Sequence, residues 1–142
     1  MAAILDVLGG RKAVPREPAT VRDWVESIRA GLPVASALAF KDALRLTNDE
    51  LAGLLGLSAR TLMRWSPGKS KLDLASGDRL VRSARLFTIA TEVLEDDDAA
   101  VAWLRAPQPA LGDAVPLELA ATDVGGRAVE ALLGRMEHGV YT

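Results

Sequence analysis

Cysteine is absent from the 142 residues, which removes disulfides, thiolate nucleophiles and thiolate metal ligands together. Histidine occurs once, as His138, so an HExxH metal site is excluded. No Ser-His-Asp relay or pair of catalytic carboxylates is recognisable in the sequence either. No run of eighteen apolar residues occurs, which argues against a transmembrane helix. The apolar stretch before Gly9-Gly10 is short and has no basic segment ahead of it, unlike a signal peptide, so the expected compartment is the cytoplasm. No segment has convincing strand alternation, and no internal repeat is visible. Gly68-Lys69-Ser70 imitates the end of a phosphate-binding loop, but Met63 stands where that loop needs glycine and no strand leads into it. No catalytic residue, metal-ligand set or cofactor loop is assigned.

What is present describes an all-α globular chain. Hydrophobic residues make up 49% of the sequence and charged residues 25%, with a mean hydropathy of +0.15. This length can bury a real core as one domain, or as two very small ones sharing a core.

Charge is polarised along the chain. Between Ala59 and Arg85, seven basic residues (Arg60, Arg64, Lys69, Lys71, Arg79, Arg82, Arg85) stand against Asp73 and Asp78. Between Glu92 and Glu130 the balance reverses, with nine acidic residues against Arg105 and Arg127. The overall net charge of −2 thus conceals a basic patch of the kind that phosphate contact needs.

The chain divides on this reading into four parts. Residues 1–19 read as a short helical turn followed by an extended arm. Residues 20–72 hold a helical region: Thr20 caps a helix with Val21, Trp24, Val25 and Ile28 at helical spacing, and Gly31 ends it. Pro33 fits the first turn of a helix lined by Val34, Leu38, Ala39 and Leu44. Residues 73–95 form a long helix with Leu80, Ala84, Phe87, Thr91 and Leu94 on one face. A second stripe, Leu86, Ile89 and Val93, lies roughly opposite; it is either core or a contact with a second copy of the chain. Residues 96–142 begin with Asp96-Asp97-Asp98 at a helix start, where carboxylates meet the positive end of the macrodipole. The alternating ligands and glycine of a calcium loop are missing there. The Pro/Gly turn region 107–116 leads to a short helix at Pro116, and Thr122 caps a last helix that Gly139 ends.

The segment LTNDELAGLLGLSARTLMRW, near residues 48–66, has the parts of a helix-turn-helix. Thr47 and Glu50 form a capping box. Leu51, Leu54 and Leu55 line the buried side of the first helix, Ala52 is small at the crossing, and Gly56 supplies the positive φ of the turn. Ser58 caps the second helix, whose Leu62 and Trp65 are expected to face inward and whose Ala59, Arg60, Thr61, Met63 and Arg64 face out. A recognition helix presents such side chains to base edges, where arginine can hold guanine by two hydrogen bonds. The candidate DNA-binding residues are therefore Ser58, Arg60, Thr61 and Arg64, with Lys69 and Lys71 in a loop suited to phosphate. The same helices could also serve as structure alone or in protein contact.

The C-terminal third carries a resemblance. Trp103-Leu104, Pro107, Ala110-Leu111-Gly112, Pro116-Leu117-Glu118-Leu119, Thr122-Asp123, Gly125 and the closing LLGRMEHGVYT resemble the toxin-binding domain of the Xre/MbcA/ParS antitoxin family. The Xre-like segment precedes it in the place that family gives it, and the match covers about residues 33–142. The resemblance implies an antitoxin of a type II toxin–antitoxin system. Such a protein would neutralise a RES-domain, NAD-consuming toxin by occluding its active site, and would repress its own operon through operator DNA. It further implies a homodimer, here through Leu86, Ile89 and Val93. The blocking end would be Gly139-Val140-Tyr141-Thr142, with Arg135, Glu137 and His138 beside it. Read from the residues alone, that tail is equally a frayed terminus. The alternative is a stand-alone helix-turn-helix regulator whose C-terminal domain only dimerises.

Overall fold

The computed structural model describes residues 2–14 and 18–139. Among them the regular elements are helical, and the only extended pairings are isolated bridges between Pro33 and Lys71 and between Gln108 and Ala114. In order these are α1 (Ala2–Val7), α2 (Gly10–Ala13), α3 (Val21–Ala30), α4 (Val34–Leu44), α5 (Asn48–Leu55), α6 (Ala59–Met63), α7 (Leu74–Leu94), α8 (Asp97–Arg105), a 3-10 turn at Pro109–Leu111, α9 (Pro116–Leu119) and α10 (Asp123–Glu137). The all-α expectation holds.

Two compact units divide inside α7, the first ending at Ala84 and the second beginning at Arg85. The long helix expected over 73–95 is present as α7, Leu74–Leu94, and the division falls within it. Its first half belongs with the helix-turn-helix and its second half with α8 to α10.

The N-terminal reading is corrected. Residues 2–14 are not a turn followed by an arm, because α1 and α2 pack against α4 and bury Ile4, Leu5, Leu8, Ala13 and Val14. Gly9 turns the chain between them at φ 95°. A β-carbon there would press on those of Ala13 and Ala39, so glycine serves both the turn and the close approach.

In α3 the Thr20 cap forms a capping box with Asp23, and Gly31 ends the helix at φ 98°. The expected apolar stripe is only partly buried. Trp24 is inside, Ile28 is half-buried, and Val21 and Val25 are exposed. Helix α4 supplies the centre of the first unit through Val34, Ala37, Phe40 and Leu44, all fully buried.

In the second unit α8, α9 and α10 pack together over Leu86, Leu104, Ala120, Val129 and Leu133. Asp96 caps α8 by accepting the Ala99 N–H at 2.8 Å, and Thr122 caps α10 through the Gly125 N–H at 3.1 Å. Gly125 sits where a β-carbon would fall on the Leu119 carbonyl, which is why α9 and α10 can meet so closely. The turn between α8 and α9 is fixed by Gln108, whose side-chain amide donates to the carbonyls of Trp103 at 2.8 Å and Ala106 at 3.3 Å. No described helix is long and apolar enough to cross a membrane.

Candidate functional site

The helix-turn-helix begins at a closed capping box. The Glu50 N–H donates to Thr47 Oγ1 at 3.1 Å and the Thr47 N–H donates to Glu50 Oε1 at 2.9 Å. Leu51, Ala52, Leu54 and Leu55 are buried as their spacing requires. At the turn Gly56 takes φ 73°, and the Leu57 N–H reaches back to the Ala52 carbonyl at 2.8 Å. Ser58 then caps α6, accepting the Thr61 N–H at 3.2 Å. Leu62 is buried, Trp65 half-buried, and Arg60, Thr61, Met63 and Arg64 are exposed.

Two donors from α7 hold the turn from behind. Ser76 Oγ donates to the Leu55 carbonyl at 3.1 Å, and Arg79 Nη1 donates to the same oxygen at 3.0 Å. The last turn of a helix leaves its carbonyls without intrahelical partners, and here a remote helix supplies them. A β-carbon on Gly56 would displace the end of the flexible Arg79 side chain, while the positive φ is what calls for glycine at this turn. Sequence reading assigned Arg79 to the basic patch and gave Ser76 no role. These contacts span 24 and 21 positions, and no local pattern reveals them.

Asp73 reinforces the same corner. Its carboxylate is held below the usual range chiefly by the Ser76 hydroxyl, then by backbone N–H groups at the start of α7.

The basic patch resolves into two groups. Arg79 serves the Leu55 carbonyl, Arg82 pairs with Asp78 at 2.8 Å, and Arg85 pairs with Glu130 at 2.6 Å. Arg60, Arg64, Lys69 and Lys71 are exposed, and none of them has an ion-pair partner among the described residues. The loop carrying the two lysines is ordered by its backbone. Leu72 N–H donates to the Leu32 carbonyl at 2.8 Å, Val34 N–H to the Ser70 carbonyl at 3.2 Å, and Lys69 N–H to the Ser66 carbonyl at 2.9 Å. Ser58 and Thr61 are exposed, but their hydroxyls lie 3.0 Å apart and Ser58 is engaged as the cap.

In the second unit, Leu86 is only 2% exposed within its own chain. It belongs to the unit's core, which removes it from any surface stripe; Ile89 and Val93 remain half-exposed. At the end of α10, Glu137, His138 and Gly139 are exposed, while Arg135 is half-buried, its Nε shielded without a hydrogen-bond partner among the described residues. Gly139 takes φ 73° and its N–H closes on the Met136 carbonyl at 3.1 Å. Val140, Tyr141 and Thr142 lie outside the described residues.

The two units correspond to two domains of known type. Residues 23–85 match the antitoxin Xre-like helix-turn-helix domain, and residues 90–139 match the antitoxin Xre/MbcA/ParS C-terminal toxin-binding domain. The mycobacterial cidal antitoxin MbcA of Mycobacterium bovis is 30% identical over 100 residues, which cover 70% of this chain and 87% of that one. The chain belongs to the Xre/MbcA/ParS antitoxin family. Antitoxin Xre of Photorhabdus laumondii is 27% identical over 81% of this chain and 78% of its own length. The crystal structure of the M. tuberculosis MbcT-MbcA toxin-antitoxin complex holds a chain of similar fold. Its TM-score is 0.53 at 22% identity, covering 87% of this chain and all of that one. The boundary between the two domain matches falls in α7, as does the division between the two compact units.

Proposed function

We propose that this antitoxin neutralises a RES-domain, NAD-consuming toxin and also binds operator DNA to repress its own operon. One observation carries the reading: a single chain joins a helix-turn-helix with four exposed cations, unpaired among the described residues, to a unit that matches a toxin-binding domain. DNA binding falls to Arg60 and Arg64 on the recognition helix, with Lys69 and Lys71 on phosphates and Ser58 and Thr61 at the helix start. The arginines suit base edges, and the lysines suit the backbone charge. Toxin contact falls to the end of α10, through Arg135, Glu137, His138 and Gly139, and to Val140, Tyr141 and Thr142. These last residues occlude the cleft that NAD must enter. The chain acts as a homodimer through Ile89 and Val93, since two-fold protein symmetry matches paired half-sites.

The test is co-expression with the protein encoded by the adjacent gene, which this reading requires to be a RES-domain protein, followed by co-purification, together with a salt-titrated shift of the upstream DNA. A stable toxin complex with a steep salt dependence of DNA binding supports both activities. DNA binding without toxin capture would leave a stand-alone regulator.

A further inference from the structure

We propose that Met63 is a specificity-determining residue that reads the 5-methyl group of a thymine in the major groove; this rests on the DNA reading above. Among the exposed large apolar side chains of the described residues, Met63 is the most open to solvent, at 82%. Its place on α6 is informative. At about 100° per residue, with Leu62 turned into the core, Arg60 and Arg64 straddle the outward pole of the helix. Met63 and Thr61 lie on its two shoulders. Ser58 Oγ engages the Thr61 hydroxyl, which leaves Met63 as the long apolar side chain beside the two arginines.

The surroundings select the partner. An apolar protein surface would be met by a patch of apolar side chains. Met63 instead stands beside Arg60 and Arg64, with Lys69 on the following loop, a charge pattern that fits a polyanion. Within the major groove the thymine methyl is the distinctive apolar group, and apolar side chains read it. An unbranched thioether adapts well to such a contact.

The experiment uses the full-length chain and a site enriched by it from random duplex DNA. Each thymine in that site is replaced singly by uracil, which deletes only the methyl. The expected result is one position per half-site at which uracil weakens wild-type binding about fourfold, the worth of one buried methyl-sized group. Met63→Ala should bind the thymine site about that much more weakly and no longer distinguish thymine from uracil there. Met63→Leu should restore part of the discrimination. Wild-type binding that tolerates every uracil would overturn this assignment alone, as would a Met63→Ala protein that keeps its uracil sensitivity. Failure of the wild-type chain to enrich any sequence would overturn the DNA reading and this inference with it.

Discussion

Arg79 donates from α7 to the Leu55 carbonyl at 3.0 Å, tying the long helix to the turn of the helix-turn-helix. Ser76 donates to the same oxygen, and Gly56 leaves the space the guanidinium occupies. The orientation of the recognition helix is therefore fixed by residues outside the motif. Arg79→Met should cost about 1.5–3 kcal/mol of stability, the range for a hydrogen bond with a charged partner. Under folded conditions it should lower specific DNA affinity more than nonspecific affinity. Urea denaturation and paired DNA titrations measure the two effects. Equal loss on both kinds of DNA would mean that Arg79 does not position the reading helix.

On the proposed DNA reading, the exposed cations should divide by role. Arg64→Ala should cost about 1–3 kcal/mol on the specific site, and Arg60→Ala should weaken it too. Lys69→Ala and Lys71→Ala should weaken specific and nonspecific DNA alike, each reducing the salt slope by about one. If the Arg60→Ala/Arg64→Ala protein binds DNA as the wild type does, recognition lies elsewhere on the chain.

Much of the helix-turn-helix was legible because its determinants are local. Thr47, Glu50, Gly56, Ser58 and Leu62 act within a few positions of each other, and spacing alone identifies them. Residues 1–19 read as a helical turn and an extended arm because they end in Val-Pro-Arg-Glu-Pro. That α4 makes residues 2–14 part of the core is a packing fact no local pattern carries. Leu86 was misplaced for a related reason. A helix with two apolar sides does not reveal which one its own unit covers. The clamp on Leu55 and the sequestering of Arg82 and Arg85 in ion pairs arise only once the helices have packed.

Asp73 should add a modest acid sensitivity to the stability of the first unit. Its folded pKa lies below the ordinary 3.8, chiefly through the Ser76 hydroxyl. A lowered carboxylate stabilises the fold above its unfolded pKa. That contribution is lost as pH falls from about that value through the lower folded one. Asp73→Asn should therefore be less stable than wild type at neutral pH, with the gap narrowing below the ordinary carboxylate pKa. Denaturant melts across an acid series follow this gap. A constant difference at all pH values would assign the effect to packing instead of charge.

The half-exposed pair Ile89 and Val93 is where a second copy is expected to dock. Ile89→Asp should give monomers by sedimentation that keep their helical circular dichroism and lose affinity for paired half-sites. A folded mutant that stays dimeric would place the interface on another surface.

The most direct measurement is the NAD level in cells that express the RES-domain toxin of the proposed function, taken from a gene adjacent to this one, together with this chain. The account predicts that the full chain preserves NAD. A chain ending at Gly139 should fold and bind DNA, because Gly139 already closes α10 at φ 73°, yet protect poorly. Tyr141→Ala should fall between them, since a buried aromatic anchor is commonly worth about 2 kcal/mol or more at an interface. Full protection by the shortened chain would move the blocking contact to the globular unit. Collapse of NAD despite stable full-length protein would contradict the antitoxin account itself.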